Sequence, residues 1–200
     1  MLQPNTFYHI YNHANGSENL FKSDNNYTYF LNKFNQHIGP IADTYAYCLM
    51  PNHFHFLIKI KDEETFLTLS KEYPLLNPQG FKTLEGFLSQ QFGNLFNAYT
   101  KAYNKMYNRK GALFLHNFKR KEVADEAYFA KLILYIHSNP VHHGFTAQIE
   151  DWKYSSFHSY ISNKETKVKQ QNGLEWFNGV EAFKQAHFTP IDRKFKVEFD

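Results

Sequence analysis

The sequence is poor in cysteine: Cys48 carries the only thiol among 200 residues. One thiol cannot close a disulfide within the chain, and it is too little for a cysteine-rich zinc site. Both of these stabilising devices are excluded, so the fold must depend on a hydrophobic core. Hydrophobic residues make up 42% of the sequence and charged residues 20%, which is typical of one globular domain and excludes the disordered and fibrous classes.

Long apolar runs are also missing. No stretch approaches the roughly 18 to 20 consecutive apolar residues that a membrane-spanning helix needs, and the first five residues have neither the basic nor the apolar region of a signal peptide. We therefore expect a cytoplasmic protein. A Gly-rich phosphate loop is absent as well, so no nucleotide cofactor is expected.

Acidic residues are absent from one part of the chain, the basic segment, which runs from Tyr99 to Lys121 and contains seven basic residues. Because the whole chain has 22 basic and 19 acidic residues, the remainder carries 15 basic against 19 acidic residues, a net charge of −4. The basic segment also holds five aromatic residues, and this mixture is typical of surfaces that bind single-stranded nucleic acid. A solvated helix face followed by a charged turn has the same composition. The residues predicted to contact DNA are Lys101, Tyr103, Lys105, Arg109, Lys110, Lys119, Arg120 and Lys121.

The spacing of hydrophobic residues predicts alternating strands and helices. Strands are predicted over residues 6–13, 44–49, 53–60 and 113–123, and helices over residues 24–38, 84–106 and 125–137. Met50–Asn52 predicts a hairpin turn between the second and third strands. Residues 61–82 contain several helix breakers, so we expect a surface excursion there. Asn139-Pro140 is expected to end the last long helix, followed by a loop over 164–171 and a short helix over 174–186.

The order strand, helix, strand, strand, helix, strand, helix predicts the α+β class. The arrangement we expect is a ferredoxin-like sandwich with a mainly antiparallel sheet and with helices on one face.

The most informative stretch is the predicted strand His53–Ile60, which reads HFHFLIKI. Alternation along a strand places Phe54 and Phe56 on one face, expected in the core, and His53 and His55 on the other. The two imidazoles would then project side by side, where both can reach one metal ion, and imidazole is the commonest metal-binding side chain. Two half-exposed histidines on a sheet surface are the alternative interpretation of this pair.

Three blocks of sequence together resemble the single-tyrosine HUH transposases, in the branch that includes the REP-associated tyrosine transposases and the insertion-sequence-200-like enzymes. The strand CLMPNHFHFLIKI resembles their His-hydrophobe-His motif. The opening block TFYHIYNHANGSENLF is similar to their first strand and loop, with His13 where the family has an arginine, and LILYIHSNPVHHGF is similar to their last catalytic helix. The resemblance runs from Thr6 to Tyr160, with the three blocks in the family's order.

The resemblance implies that residues 1–160 form an HUH catalytic domain and that residues 161–200 are a C-terminal extension of unknown role. It puts the nucleophile at Tyr135, and the metal ligands at His53, His55 and Asn139. The implied cofactor is Mg²⁺ or Mn²⁺, and the implied partner is single-stranded or hairpin DNA. Both monomers and homodimers occur in the family, so the oligomeric state stays open.

A tyrosine and a divalent ion suit this chemistry. A phenol with a pKa near 10 is protonated at pH 7, so its attack on a phosphodiester needs a group that stabilises the developing charge, which a divalent ion supplies. The attack would form a 5′-phosphotyrosine and free a 3′-hydroxyl, which retains the energy of the phosphodiester for rejoining. Mixed nitrogen and oxygen ligands fit Mg²⁺ or Mn²⁺, whereas imidazoles alone would also accept Zn²⁺ or Ni²⁺.

Two other functions fit part of the pattern. In a metal-dependent hydrolase, water would attack the phosphodiester and Tyr135 would be a core residue. In a DNA-binding relative without catalysis, the basic segment would act alone.

Overall fold

Four strands form one antiparallel sheet in the computed structural model, which describes residues 1–72, 78–162 and 164–189. The strand order is β2-β3-β1-β4, so β1 and β3 are central. The predicted hairpin is confirmed, because β2 and β3 pair antiparallel. The strands are β1 (Phe7–His13), β2 (Ala42–Leu49), β3 (His53–Ile60) and β4 (Lys119–Glu122).

Helices α1 (Asp24–His37) and α3 (Leu84–Met106) cover one face of the sheet. Phe54 and Phe56 of β3 point into this core, as alternation predicted, and pack there with residues of both helices. Two β-α-β units with this strand order make a ferredoxin-like sandwich. The predicted α+β class with a mainly antiparallel sheet is therefore confirmed.

The opposite face of the sheet is also covered, where the sequence predicted helices on one face only. Helix α4 (Glu126–His142) packs there with the short helix α5 (Phe157–Ile161) and with α7 (Val180–Phe188). Strand β3 is therefore buried on both faces, and its Leu57 belongs to this second core. Burying the second face places α4 directly over the histidine side of β3.

Helix α4 begins as predicted but ends later. The Asp125 carboxylate accepts hydrogen bonds from the backbone N–H groups of Ala127 and Tyr128, a typical N-cap. The predicted stop at Asn139-Pro140 is wrong: the helix continues to His142. Pro140 lies in the last turn, where few backbone hydrogen bonds depend on its missing N–H.

Three smaller elements differ from the predictions. The expected surface excursion contains α2 (Glu63–Glu72), whose Phe66 and Leu69 are buried; residues 73–77 lie outside the described residues. The expected short helix is two helices, α6 (Gln170–Glu175) and α7, because Gly179 between them has a φ of 106°. Strand β4 is shorter than predicted, and within residues 113–118 only Phe114 makes an isolated bridge, to Ala14. No helix among the described residues is long and apolar enough to cross a membrane.

Candidate active site

The histidine pair lies on the central strand β3, beneath α4. His53 and His55 are only 3% and 1% exposed, so they are buried and not half-exposed on a sheet surface. The β1 residues directly opposite are His13 and Tyr11, and opposite residues in an antiparallel pair share a face. The His13 and His53 rings stack with centroids 4.6 Å apart. The site is therefore a layer of rings between the sheet and α4.

Helix α4 presents a stripe of polar side chains to this layer. The Tyr135 ring stands edge-on to that of His55, with centroids 5.5 Å apart. Two turns later, the His143 ring stands edge-on to that of His53 at 4.9 Å. Asn139 lies midway between them at a spacing of four residues, so it shares their face of the helix. The expected common face of Tyr135 and Asn139 thus faces the two imidazoles.

Each of the two imidazoles has a hydrogen-bond partner at its Nδ1 atom. The Nδ1 of His53 lies 2.8 Å from the side-chain oxygen of Asn52, which can only accept. The Nδ1 of His55 lies 2.9 Å from the Nε2 of His9. If Nδ1 is the donor in both rings, Nε2 carries the lone pair in both. A partner on the second nitrogen is the usual support of a metal-binding histidine.

Burial keeps His9 and His55 of this layer neutral. It lowers the pKa of His55 well below its usual value, and the neighbouring histidines, led by His9, lower it further. Burial, with a smaller effect of the Lys121 charge, lowers the pKa of His9 to about 3. Neutral imidazole is the form that binds metal.

The chemistry of Asn139 fits a divalent ion. Its side-chain NH₂ donates to the backbone carbonyl of Tyr135 at 3.0 Å. Its side-chain oxygen is buried and has no hydrogen-bond partner among the described residues, although a buried polar atom normally has one. In the described part of the chain, no group of three or more His, Cys, Asp or Glu could hold a metal. A three-ligand site here would therefore need the amide oxygen beside the two imidazoles.

Three histidines of the layer were not predicted as site residues: His9, His13 and His143. Two sequence signals could have found them. His9 and His13 alternate along β1 with Tyr11, on the face that pairs with the histidine pair. His143 follows Tyr135 by eight residues, two helical turns, but the expected helix end at Asn139-Pro140 hid that spacing.

Part of the basic segment borders this site. On the edge strand β4, Lys119 lies opposite Tyr11 and Lys121 opposite His9, so both cations share the face of the histidine layer. The Lys121 ammonium lies 5.1 Å from the centre of the Tyr128 ring on α4. Arg120 lies opposite Ile10 and turns to the other face, where it is 3.5 Å from Glu85 of α3.

The remaining predicted DNA contacts lie away from the histidine layer. Lys101 and Lys105 are exposed on α3, which covers the other face of the sheet, and Lys110 is exposed in the following loop. The guanidinium of Arg109 makes a two-pronged pair with Glu18, at 2.5 and 2.7 Å. This ion pair therefore links the loop after α3 to the loop between β1 and α1.

Tyr103 is placed where it cannot stack on a base. It is buried in the core, and its hydroxyl donates to the backbone carbonyl of Asn19 at 2.6 Å. Its prediction as a DNA-stacking residue is wrong, because a tyrosine on the apolar stripe of an amphipathic helix packs inward.

Comparison with known proteins agrees with the motifs. No protein-family model matches the chain. A candidate REP-associated tyrosine transposase of Haemophilus influenzae is 26% identical over 118 residues, which are 58% of this chain and 59% of that protein. A solved structure, described as the REP-associated tyrosine transposase bound to a REP hairpin, has a similar fold, with a TM-score of 0.61 and 15% identity over 82% of this chain and 83% of that one. The predicted resemblance to these transposases is confirmed.

Proposed function

From this similarity to REP-associated tyrosine transposases, we propose that the chain cuts and rejoins single-stranded DNA through a covalent bond to Tyr135. The observation that carries the proposal is the placement of Tyr135 and Asn139 on the one face of α4 that lies over His53 and His55. A nucleophile, two imidazoles and an amide oxygen then belong to one site. All come from the same chain, so we propose that Tyr135 acts within its own subunit.

In the cleavage step the Tyr135 oxygen bonds to the scissile phosphorus, and the bond from that phosphorus to the 3′ oxygen breaks. The phenol loses its proton and the leaving 3′ oxygen gains one, so the products are a 5′-phosphotyrosine and a 3′-hydroxyl. A 3′-hydroxyl that attacks the phosphotyrosine reverses these steps and rejoins DNA. The phosphodiester energy is retained, so no nucleotide is consumed.

The metal in this proposal is Mg²⁺ or Mn²⁺, held by Nε2 of His53 and His55 and by the side-chain oxygen of Asn139. When bound, the ion stabilises the negative charge that develops on the phosphate. His9 and Asn52 orient the two imidazoles through their contacts with Nδ1 of His55 and Nδ1 of His53.

The DNA approaches, in this proposal, along the edge strand β4. Lys119 and Lys121 are exposed and share the face of the histidine layer, so they can neutralise phosphates next to the site. Tyr135 is only 1% exposed, so a phosphodiester reaches its hydroxyl only if the side chain or α4 shifts. We propose hairpin DNA with a single-stranded flank as the ligand, because the transposase with the similar fold is bound to a REP hairpin.

The test is to incubate the protein with single-stranded hairpin DNA and Mn²⁺ and to look for a covalent adduct on a denaturing gel. The proposal predicts an adduct that disappears when the metal is chelated. Strand cleavage without any adduct would instead indicate a hydrolase in which water attacks.

A further inference from the structure

A row of aromatic rings leads from the histidine layer to the protein surface. His143, whose ring contacts that of His53, also lies beside Phe145, with ring centroids 6.4 Å apart. Phe145 in turn lies 5.8 Å from Trp152. The Phe145 side chain is 42% exposed, and Trp152 is half-buried. One ring therefore separates a candidate metal ligand from an exposed phenylalanine.

The backbone holds Phe145 in this exposed position. Gly144 has a φ of 72°, and its N–H donates to the carbonyl of Val141, while the N–H of Phe145 donates to the carbonyl of Pro140 at 2.8 Å. These bonds form a Schellman motif at the end of α4, in which the residue after the glycine usually packs against the helix. Phe145 is left substantially exposed despite this fixed backbone, so its position is not that of a loosely attached loop residue.

Trp152 is fixed by a different contact. Its indole N–H donates to the backbone carbonyl of Leu49, at the end of β2, at 3.1 Å. The N–H of Leu49 in turn donates to the carbonyl of Tyr154, so the chain after Trp152 runs beside β2. Strand β2 is the edge of the sheet opposite to β4. The exposed cations Lys119 and Lys121 and the aromatic row thus flank the histidine layer from opposite edges.

We propose that Phe145 and Trp152 form a stacking site for unpaired bases of DNA next to the scissile phosphate. The proposal rests on the proposed function, since it assigns the same DNA a path across the site. Fixed, exposed aromatic rings are what unpaired bases stack on, and such stacking tolerates any sequence. Of the five rings in the basic segment, Tyr99, Tyr103 and Phe114 are buried and Tyr107 and Phe118 are partly buried, so none is as exposed as Phe145.

The binding test uses two DNA hairpins with the same stem, one blunt and one with a single-stranded thymidine extension. Phe145→Ala should weaken binding of the extended hairpin by about 5- to 100-fold and leave the blunt hairpin unchanged. Phe145→Tyr keeps a ring and should bind like wild type. The matched control is Phe188→Ala, which removes a phenylalanine that is 68% exposed on α7 and should change neither affinity.

A spectroscopic test follows Trp152 directly. The chain has two tryptophans, so Trp176→Phe leaves Trp152 as the only one. Its emission should be quenched by the extended hairpin and unaffected by the blunt one. Unchanged emission, an unchanged affinity in Phe145→Ala, or an equal loss of affinity for both hairpins would overturn the stacking site.

The covalent adduct is measured in the same samples, so the two proposals can fail separately. If wild type forms no adduct but Trp152 is quenched by the extended hairpin, the proposed cleavage fails and the stacking site stands. If the adduct forms and Trp152 is not quenched, the stacking site alone fails.

Discussion

The Nε2 of His9 and the Nδ1 of His55 lie 2.9 Å apart in the buried layer between the sheet and α4. This contact joins neighbouring strands, since His9 is on β1 and His55 on β3. One of the two nitrogens must donate and the other accept. A proton on Nδ1 of His55 leaves Nε2 as the metal-binding nitrogen, so His9 acts as a positioning residue for the proposed ligand.

We expect His9→Leu to weaken Mn²⁺ binding by about 10- to 100-fold, because the orienting acceptor for His55 is lost. His9→Gln keeps an acceptor in this position and should restore most of the affinity. Calorimetric titration measures the Mn²⁺ affinity of both variants, and thermal melting measures the accompanying change of stability. If the two variants bind Mn²⁺ as wild type does, the contact is a packing feature only.

The predicted ligands can be tested by how Mn²⁺ changes thermal stability. An ion that binds only the folded state raises the melting temperature of wild type, and this rise should vanish in His53→Ala, His55→Ala and Asn139→Ala. Asn139→Asp keeps an oxygen ligand, so Mn²⁺ should still raise the melting temperature of this variant. Because the histidines are buried, their alanine variants should also be less stable without metal. A full Mn²⁺ response in Asn139→Ala would remove the amide from the site.

The two faces of β4 give a matched test of the DNA path. In single strands each neutralised phosphate contributes about 0.7 to the slope of log affinity against log salt. Replacing Lys119 and Lys121 by Gln should therefore flatten the slope by up to about 1.4, whereas Arg120→Gln on the other face should not change it. If all three substitutions flatten the slope equally, DNA contacts both faces of β4.

Low pH should destabilise the fold through a pair of buried histidines that joins α4 to α7. His187 of α7 contacts His137 of α4, with Nε2 and Nδ1 2.9 Å apart, and burial lowers the pKa of His187 to about 4. Because an unfolded histidine has a pKa near 6.5, the stabilisation is complete above pH 6.5 and is lost as the pH falls towards 4. The gap in unfolding free energy between wild type and His187→Gln should narrow across this window, by up to about 3 kcal/mol. A gap that is constant with pH would contradict the neutral state of His187.

Local sequence patterns were sufficient to predict the strand and the helix that carry the site. The period-two alternation of β3 predicted which face holds the histidines, and the Asp125 cap predicted where α4 begins. Both depend on interactions between residues close in sequence. The resemblance then supplied roles that no spacing could assign.

The rest depended on contacts between distant segments. The sequence could not show that α4 would bury the histidine face, nor that His9 would contact His55, because pairing between β1 and β3 sets that register. Composition also could not show that Tyr103 is in the core or that Arg109 pairs with Glu18. A count of cations and rings does not say which face of a helix they occupy.

The most direct measurement of the central claim compares covalent DNA adducts of Tyr135→Phe and Tyr128→Phe, two substitutions on the same helix that each remove one hydroxyl. With hairpin DNA and Mn²⁺, Tyr128→Phe and wild type should both form a metal-dependent adduct that mass spectrometry maps to Tyr135. Tyr135→Phe should form none, while its melting temperature and DNA affinity stay close to those of wild type. An adduct that persists in Tyr135→Phe, or that maps to another tyrosine, would contradict the assignment of the nucleophile.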